Sequence, residues 1–142
     1  MTDSTPMGAA GAASRSPDPA LISYTHWMYA LHALSAAIGL VGSPFVITAF
    51  VFGWPSIIAV VMNYVRRSDA RGTYLESHFS WQLRTFWFAL LWFVLVGLFS
   101  APLVLLLGLG FVTWILGAVV VGIWIIYRVA RGWLRLKDGR PV

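Results

Sequence analysis

The residues of this chain that could do chemistry are three histidines, a Glu-x-His step and two groups of arginines. His26 and His32 fall in a long stretch without Asp, Glu, Lys or Arg. An ionisable side chain in such a stretch is a functional candidate by default, as a proton relay or a haem ligand. The two lie six positions apart, about 120° around a helix, so they cannot ligate one metal together. His32 shares a helical face with Ser35 and Gly39, while Thr48, Ser56, Ala59 and Asn63 line one side of the next apolar segment. Small residues at this spacing let helix backbones approach, and a histidine there can bond across the contact. We prefer that packing reading to a relay or a ligand. His26, beside Trp27, reads as an interfacial anchor. A path for ions usually carries a carboxylate within the membrane, and none lies between Tyr24 and Val65.

Thr73, Glu76, His78, Gln82 and Arg84 form the densest polar group. It can be read as a cytoplasmic docking surface or as a helix start. Thr73-x-x-Glu76 has the spacing of a capping box, with the Thr hydroxyl on an early amide and the carboxylate reaching back. A lone Glu-x-His lacks a nucleophile or a metal set. The HExxH, P-loop, GxGxxG and GxSxG patterns are absent, and there is no cysteine. The expectation is therefore a protein that is not an enzyme, with no catalytic residue, metal or cofactor. Arg128, Arg131 and Arg135 fall on one helical face, followed by Lys137. They are expected to touch anionic lipid while Trp133 and Leu136 sink into the headgroup boundary. On that reading the tail adds little to the bundle.

Positioning these groups is a task for apolar helices. The chain has 142 residues, of which 59% are hydrophobic and only 11% charged, and its mean hydropathy is +0.78. A soluble domain usually carries about 25% charged residues. The net charge of +5 is not a nucleic-acid footprint, because nine of the ten Lys/Arg lie in two short segments beside apolar runs. The predicted class is all-α, a polytopic membrane protein in the lipid bilayer with four transmembrane helices and a short cytoplasmic interfacial helix.

Residues 1–23, rich in Ala, Gly, Ser and Pro, read as a disordered tail without a cleavable signal peptide. Residues 24–131 form the membrane domain and 132–142 a basic tail. From Tyr24 to Val65 a single helix would be about 63 Å long, twice a hydrocarbon core, so the chain must turn. Gly42-Ser43-Pro44 is the expected turn, with spans at 24–41 and 45–65 and a kink at Pro55 in the second. Leu75, Phe79, Leu83 and Phe86 predict an amphipathic helix at the interface, its polar side toward headgroups, running into a third span at 85–107. Gly108-Leu109-Gly110 turns into a fourth span at 111–127, whose helix continues outward and ends at Asp138-Gly139. Trp27, Trp81, Trp114 and Trp133 sit where an aromatic belt would lie. Four spans put both basic segments and the N-terminus on one side, and the positive-inside rule makes that side cytoplasmic.

Gly53-Trp54-Pro55-Ser56-Ile57-Ile58, Asn63-Tyr64-Val65-Arg66-Arg67, Glu76-Ser77-His78 and Gln82 resemble the DUF4870, or Tic20-like, family of small bacterial membrane proteins. His32 matches a histidine early in that family's first span. The resemblance covers about residues 27–130, and Trp54 between Gly and Pro departs from it, as does Trp81-Gln82-Leu83-Arg84. It implies a four-helix protein of the bacterial inner membrane and little about activity. The expected role is that of a non-enzymatic accessory or structural partner of another membrane protein. The rivals are a small homo-oligomeric transporter or channel subunit, and a membrane enzyme or haem protein using His26, His32 and His78.

Overall fold

The computed structural model describes residues 15–42, 53–104, 106 and 108–142, which form four helices and no strand. These are α1 (Pro19–Gly42), α2 (Trp54–Arg66), α3 (Leu75–Val104) and α4 (Leu109–Lys137). Ser43, Pro44, Thr48, the first part of the expected second span and residues 1–14 lie outside the described residues.

Helix α1 starts five residues ahead of the span expected from Tyr24. Asp18 is its cap: the carboxylate accepts from the Ala20 amide at 2.8 Å, and its carbonyl accepts from Leu21 and Ile22. Pro19 follows at the first helical position, where a missing N–H costs nothing. The same logic corrects the expected kink at Pro55. Gly53 caps α2 and Pro55 stands in its first turn, so the proline opens a helix rather than bending the middle of one.

Four spans are expected, and among the described residues two helices meet the requirement. Both α3 and α4 are long and apolar enough to cross a membrane. Helix α1 is long enough, yet Ser23, Tyr24, Thr25, His26, Tyr29 and His32 dilute its apolar content, and α2 has 13 residues. A separate interfacial helix is not formed. The segment from Leu75 is the first part of α3, and Leu75, His78, Phe79, Gln82 and Leu83 are buried in the bundle.

Successive helices run antiparallel. His32 meets Ser56, Asn63 meets Gln82, Thr85 meets Arg128, and Tyr29 packs on Gly132. These pairings gather the start of α1, the end of α2, the start of α3 and the end of α4 at one pole. The core lies there, built on Met28, Tyr29, Ala59, Leu75, Phe79, Val129 and Leu136. From that pole α3 and α4 continue as a hairpin of about 45 Å per arm. Its seam is made of small residues. A Cβ on Gly97 would stand 3.3 Å from Trp114, and one on Gly110 would strike the backbone of Ser100 and Val104. Thr113 and Ser100 bond through their hydroxyls at 3.1 Å. Away from the seam the hairpin is apolar and exposed, with Leu98 at 67%, Phe99 at 70% and Val120 at 67%.

Candidate functional site

The polar side chains concentrate at the same pole and are spent mainly on joining helices. His78, on the first turn of α3, has no exposed surface. Its Nε2 lies 2.8 Å from the Arg140 carbonyl, which can only accept, so Nε2 carries the proton. Nδ1 is then the acceptor, and the Tyr29 hydroxyl of α1 donates to it at 3.0 Å. The rings of Tyr29 and Tyr74 meet the imidazole edge-on, and Trp133 stacks on Tyr29 at 6.5 Å. Trp133 Nε1 donates to His26 Nδ1 at 2.9 Å, tying α4 to α1. Gly139, with φ +64, turns the chain out of α4 so that the Arg140 carbonyl faces His78. Beyond it the Val142 amide donates to Ser77 at 3.0 Å.

A second group joins α1, α2 and α3. His32 Nδ1 lies 3.0 Å from Ser56 Oγ, and the Tyr24 hydroxyl donates to the Met62 carbonyl. Asn63, fully buried, donates to the Phe79 carbonyl at 3.0 Å and to Gln82 Oε1 at 3.3 Å. His32 Nε2, Asn63 Oδ1 and Gln82 Nε2 have no protein partner among the described residues. Interhelical bonds of this kind are worth about 0.6 to 2 kcal/mol each in a membrane.

The structure therefore joins His32 to Ser56 across α1 and α2, buries Ala59, and turns Asn63 toward α3. Ser35 is half-buried on α1, and Gly39 has nothing within 4 Å of a Cβ among the described residues. Among the described residues the close approaches fall at Gly110, Gly117 and Gly132, and the segment expected to face Gly39, residues 45–52, lies outside them. Gly110, Thr113 and Gly117 carry the same small-residue spacing, so the signal was present but on the last helix. Of the polar group at 73–84, only Glu76 and Arg84 face outward; His78 and Gln82 are buried and cannot form a docking surface. The capping box is displaced by one residue. Thr73 Oγ1 accepts from the Leu75 amide at 3.2 Å and donates to the Ala70 carbonyl, while Glu76 accepts from Gly72 rather than from Thr73.

The tail departs most from expectation. Leu136 is 2% exposed, Gly132 lies against Tyr29, and Arg140 and Val142 close over α3. The expectation that this segment adds little to the bundle is corrected: it supplies part of the core. Arg128 also differs from its neighbours in the basic stripe. It is half-buried between Trp81 and Trp124, whereas Arg131, Arg135 and Lys137 are exposed. An open groove of about 490 Å³ lies beside this pole, lined by Thr73, Glu76, Ser80, Trp81, Arg84 and Pro141 among others. Glu76 is engaged on the Gly72 amide, and the groove holds no nucleophile paired with a base. Among the described residues no three His, Asp or Glu side chains converge as a metal set would.

No protein-family model, curated protein or solved structure matches the chain.

Proposed function

We propose that the chain is a small multi-pass protein of the bacterial inner membrane, acting without catalysis as an accessory or structural partner in a membrane assembly. The observation that carries this reading is the α3–α4 hairpin, whose apolar side chains are exposed along most of its length. Apolar surface of that extent on two long helices suits lipid or another membrane helix. On this reading α1 and the segment ending at Arg66 complete four crossings, with both termini cytoplasmic, as the clustering of both basic segments at one pole requires under the positive-inside rule. The Tic20-like resemblance belongs to the same proposal.

Alkaline carbonate extraction tests the first half. The chain should stay with the membrane pellet, and release into the supernatant would overturn the membrane reading. A photo-cross-linking residue at Val120 tests the second half. Cross-links to one protein partner are expected, and cross-links to lipid alone would leave the hairpin as a bilayer anchor with no assembly role.

A further inference from the structure

Arg128 sits where α4 passes the first turns of α3, and its guanidinium is fixed on three sides. Its carbon lies 3.7 Å from the centre of the Trp81 ring and 5.0 Å from that of Trp124. Nε donates to Thr85 Oγ1 at 2.8 Å, and Trp81 Nε1 donates to the Arg128 carbonyl at 3.1 Å. Arg131 lies 6.0 Å from the same Trp81 ring and donates to the Tyr127 hydroxyl at 3.0 Å. Arg84 follows Trp81 by three residues on α3, which puts it on the neighbouring turn. Both Arg84 and Arg131 are close enough to repel Arg128.

Two guanidiniums share the Trp81 ring, and Arg84 on the neighbouring turn adds a third positive charge, a repulsion that an anion would offset. No carboxylate is among the groups acting on Arg128. Of the four described acids, Asp69 pairs with Arg66, Glu76 binds the Gly72 amide, Asp18 caps α1, and Asp138, exposed beyond the end of α4, makes no ion pair among the described residues. Among the described residues no carboxylate supplies the balancing charge, which leaves room for an anion from outside. Planar guanidiniums fixed by stacking suit a phosphate, which they can grip with paired N–H donors. The wall next to them decides what carries the phosphate. Phe88 and Leu91, one and two turns beyond Arg84, are each 49% exposed, and Ile123 on α4 is likewise exposed. A soluble anion has no use for that surface, whereas acyl chains do.

We propose that Arg128 and Arg131, held over Trp81, and Arg84, which lines the same groove as Trp81, bind the phosphate of an anionic phospholipid whose chains lie along the α3–α4 hairpin. The proposal rests on the membrane reading above. It differs from a basic stripe that merely faces the headgroups, because it draws on two helices and leaves out Arg135 and Lys137.

Native mass spectrometry of the protein in maltoside micelles, doped with phosphatidylglycerol or phosphatidylcholine, tests it. The protein should retain phosphatidylglycerol in preference to phosphatidylcholine. Arg84→Gln and Arg131→Gln should each weaken that retention about fivefold, the effect of one arginine at an anionic surface, while Arg135→Gln should leave it unchanged. Equal retention of the two lipids by the unaltered protein overturns the site without recourse to any variant. An equal loss in Arg135→Gln overturns it in favour of diffuse attraction. Displacement of the lipid by glycerol phosphate at the same concentration overturns it in favour of a soluble anion. A protein that resists carbonate extraction yet shows no lipid preference loses only this site, whereas one released by carbonate loses the membrane reading as well.

Discussion

At the residue scale the contact between Tyr29 and Gly132 decides whether His78 keeps its partners. Tyr29 lies over Gly132, with ring carbons 2.8 Å from where a Cβ would be. Gly132→Ala must push that ring aside, and overpacking of a filled core costs about 1–3 kcal/mol. A lower melting temperature in detergent is the expected result; unchanged melting would mean that Tyr29 can swing away freely. Tyr29→Phe removes only the hydroxyl, leaving His78 Nδ1 a buried acceptor without a donor, at a cost of about 1–3 kcal/mol. If Tyr29→Phe melts like the parent, another donor reaches that nitrogen. Both substitutions act on one hydrogen-bonded unit, so their losses should add to less than their sum.

At the element scale the α3–α4 hairpin and the start of α3 are separable. A methyl at Gly110 meets backbone atoms of Ser100 and Val104, which cannot rotate out of the way, whereas at Gly97 it meets the edge of the Trp114 ring. Gly110→Ala should therefore lower the melting temperature more than Gly97→Ala, and the reverse order would place the seam elsewhere. Thr73→Ala removes the acceptor of the Leu75 amide and should cost about 1 kcal/mol. Faster amide exchange over the first turns of α3 is the check, and unchanged exchange would mean that the Glu76 carboxylate alone holds the helix start. The helix start near Leu75 and the stop at Asp138-Gly139 were legible, because caps are local chemistry written in adjacent residues. Asp18-Pro19 is an equally local start signal, set within a segment whose composition predicts a disordered tail. Burial of His78, Gln82 and Arg128 was not legible. Each depends on a partner 19 to 62 residues away, as Gln82 with Asn63, Arg128 with Thr85 and His78 with Arg140 show. Helical spacing alone gives such a residue a face but not a neighbour.

At the scale of the whole molecule, helix class and the pairing of basic segments at one end were readable from charge and hydropathy. The unequal helices were not. Hydropathy reports how apolar a segment is, and the polar residues of α1 are tolerated because α2, α3 and α4 satisfy them at the crowded pole. The topology that follows is testable with reporter fusions after Gly72, in place of Leu106, and after Val142. The first and third should report a cytoplasmic position and the second an external one. A fusion at Leu106 reporting the same side as Gly72 would remove the α3–α4 hairpin from the membrane.

The lid that Arg140 and Val142 form over His78 and Ser77 has a consequence for the order of assembly. The bonds that close the polar pole span 107 residues from His26 to Trp133 and 62 from His78 to Arg140. A ribosome delivers α1, α2 and α3 before the groups that satisfy them exist. During synthesis His26, Tyr29 and His78 must therefore wait with water, a chaperone or one another as temporary partners, and the pole can lock only once α4 has left the tunnel. The residues that fasten the structure thus emerge after those they fasten, and a pause or a stop ahead of Gly132 would strand an inserted but unlatched protein.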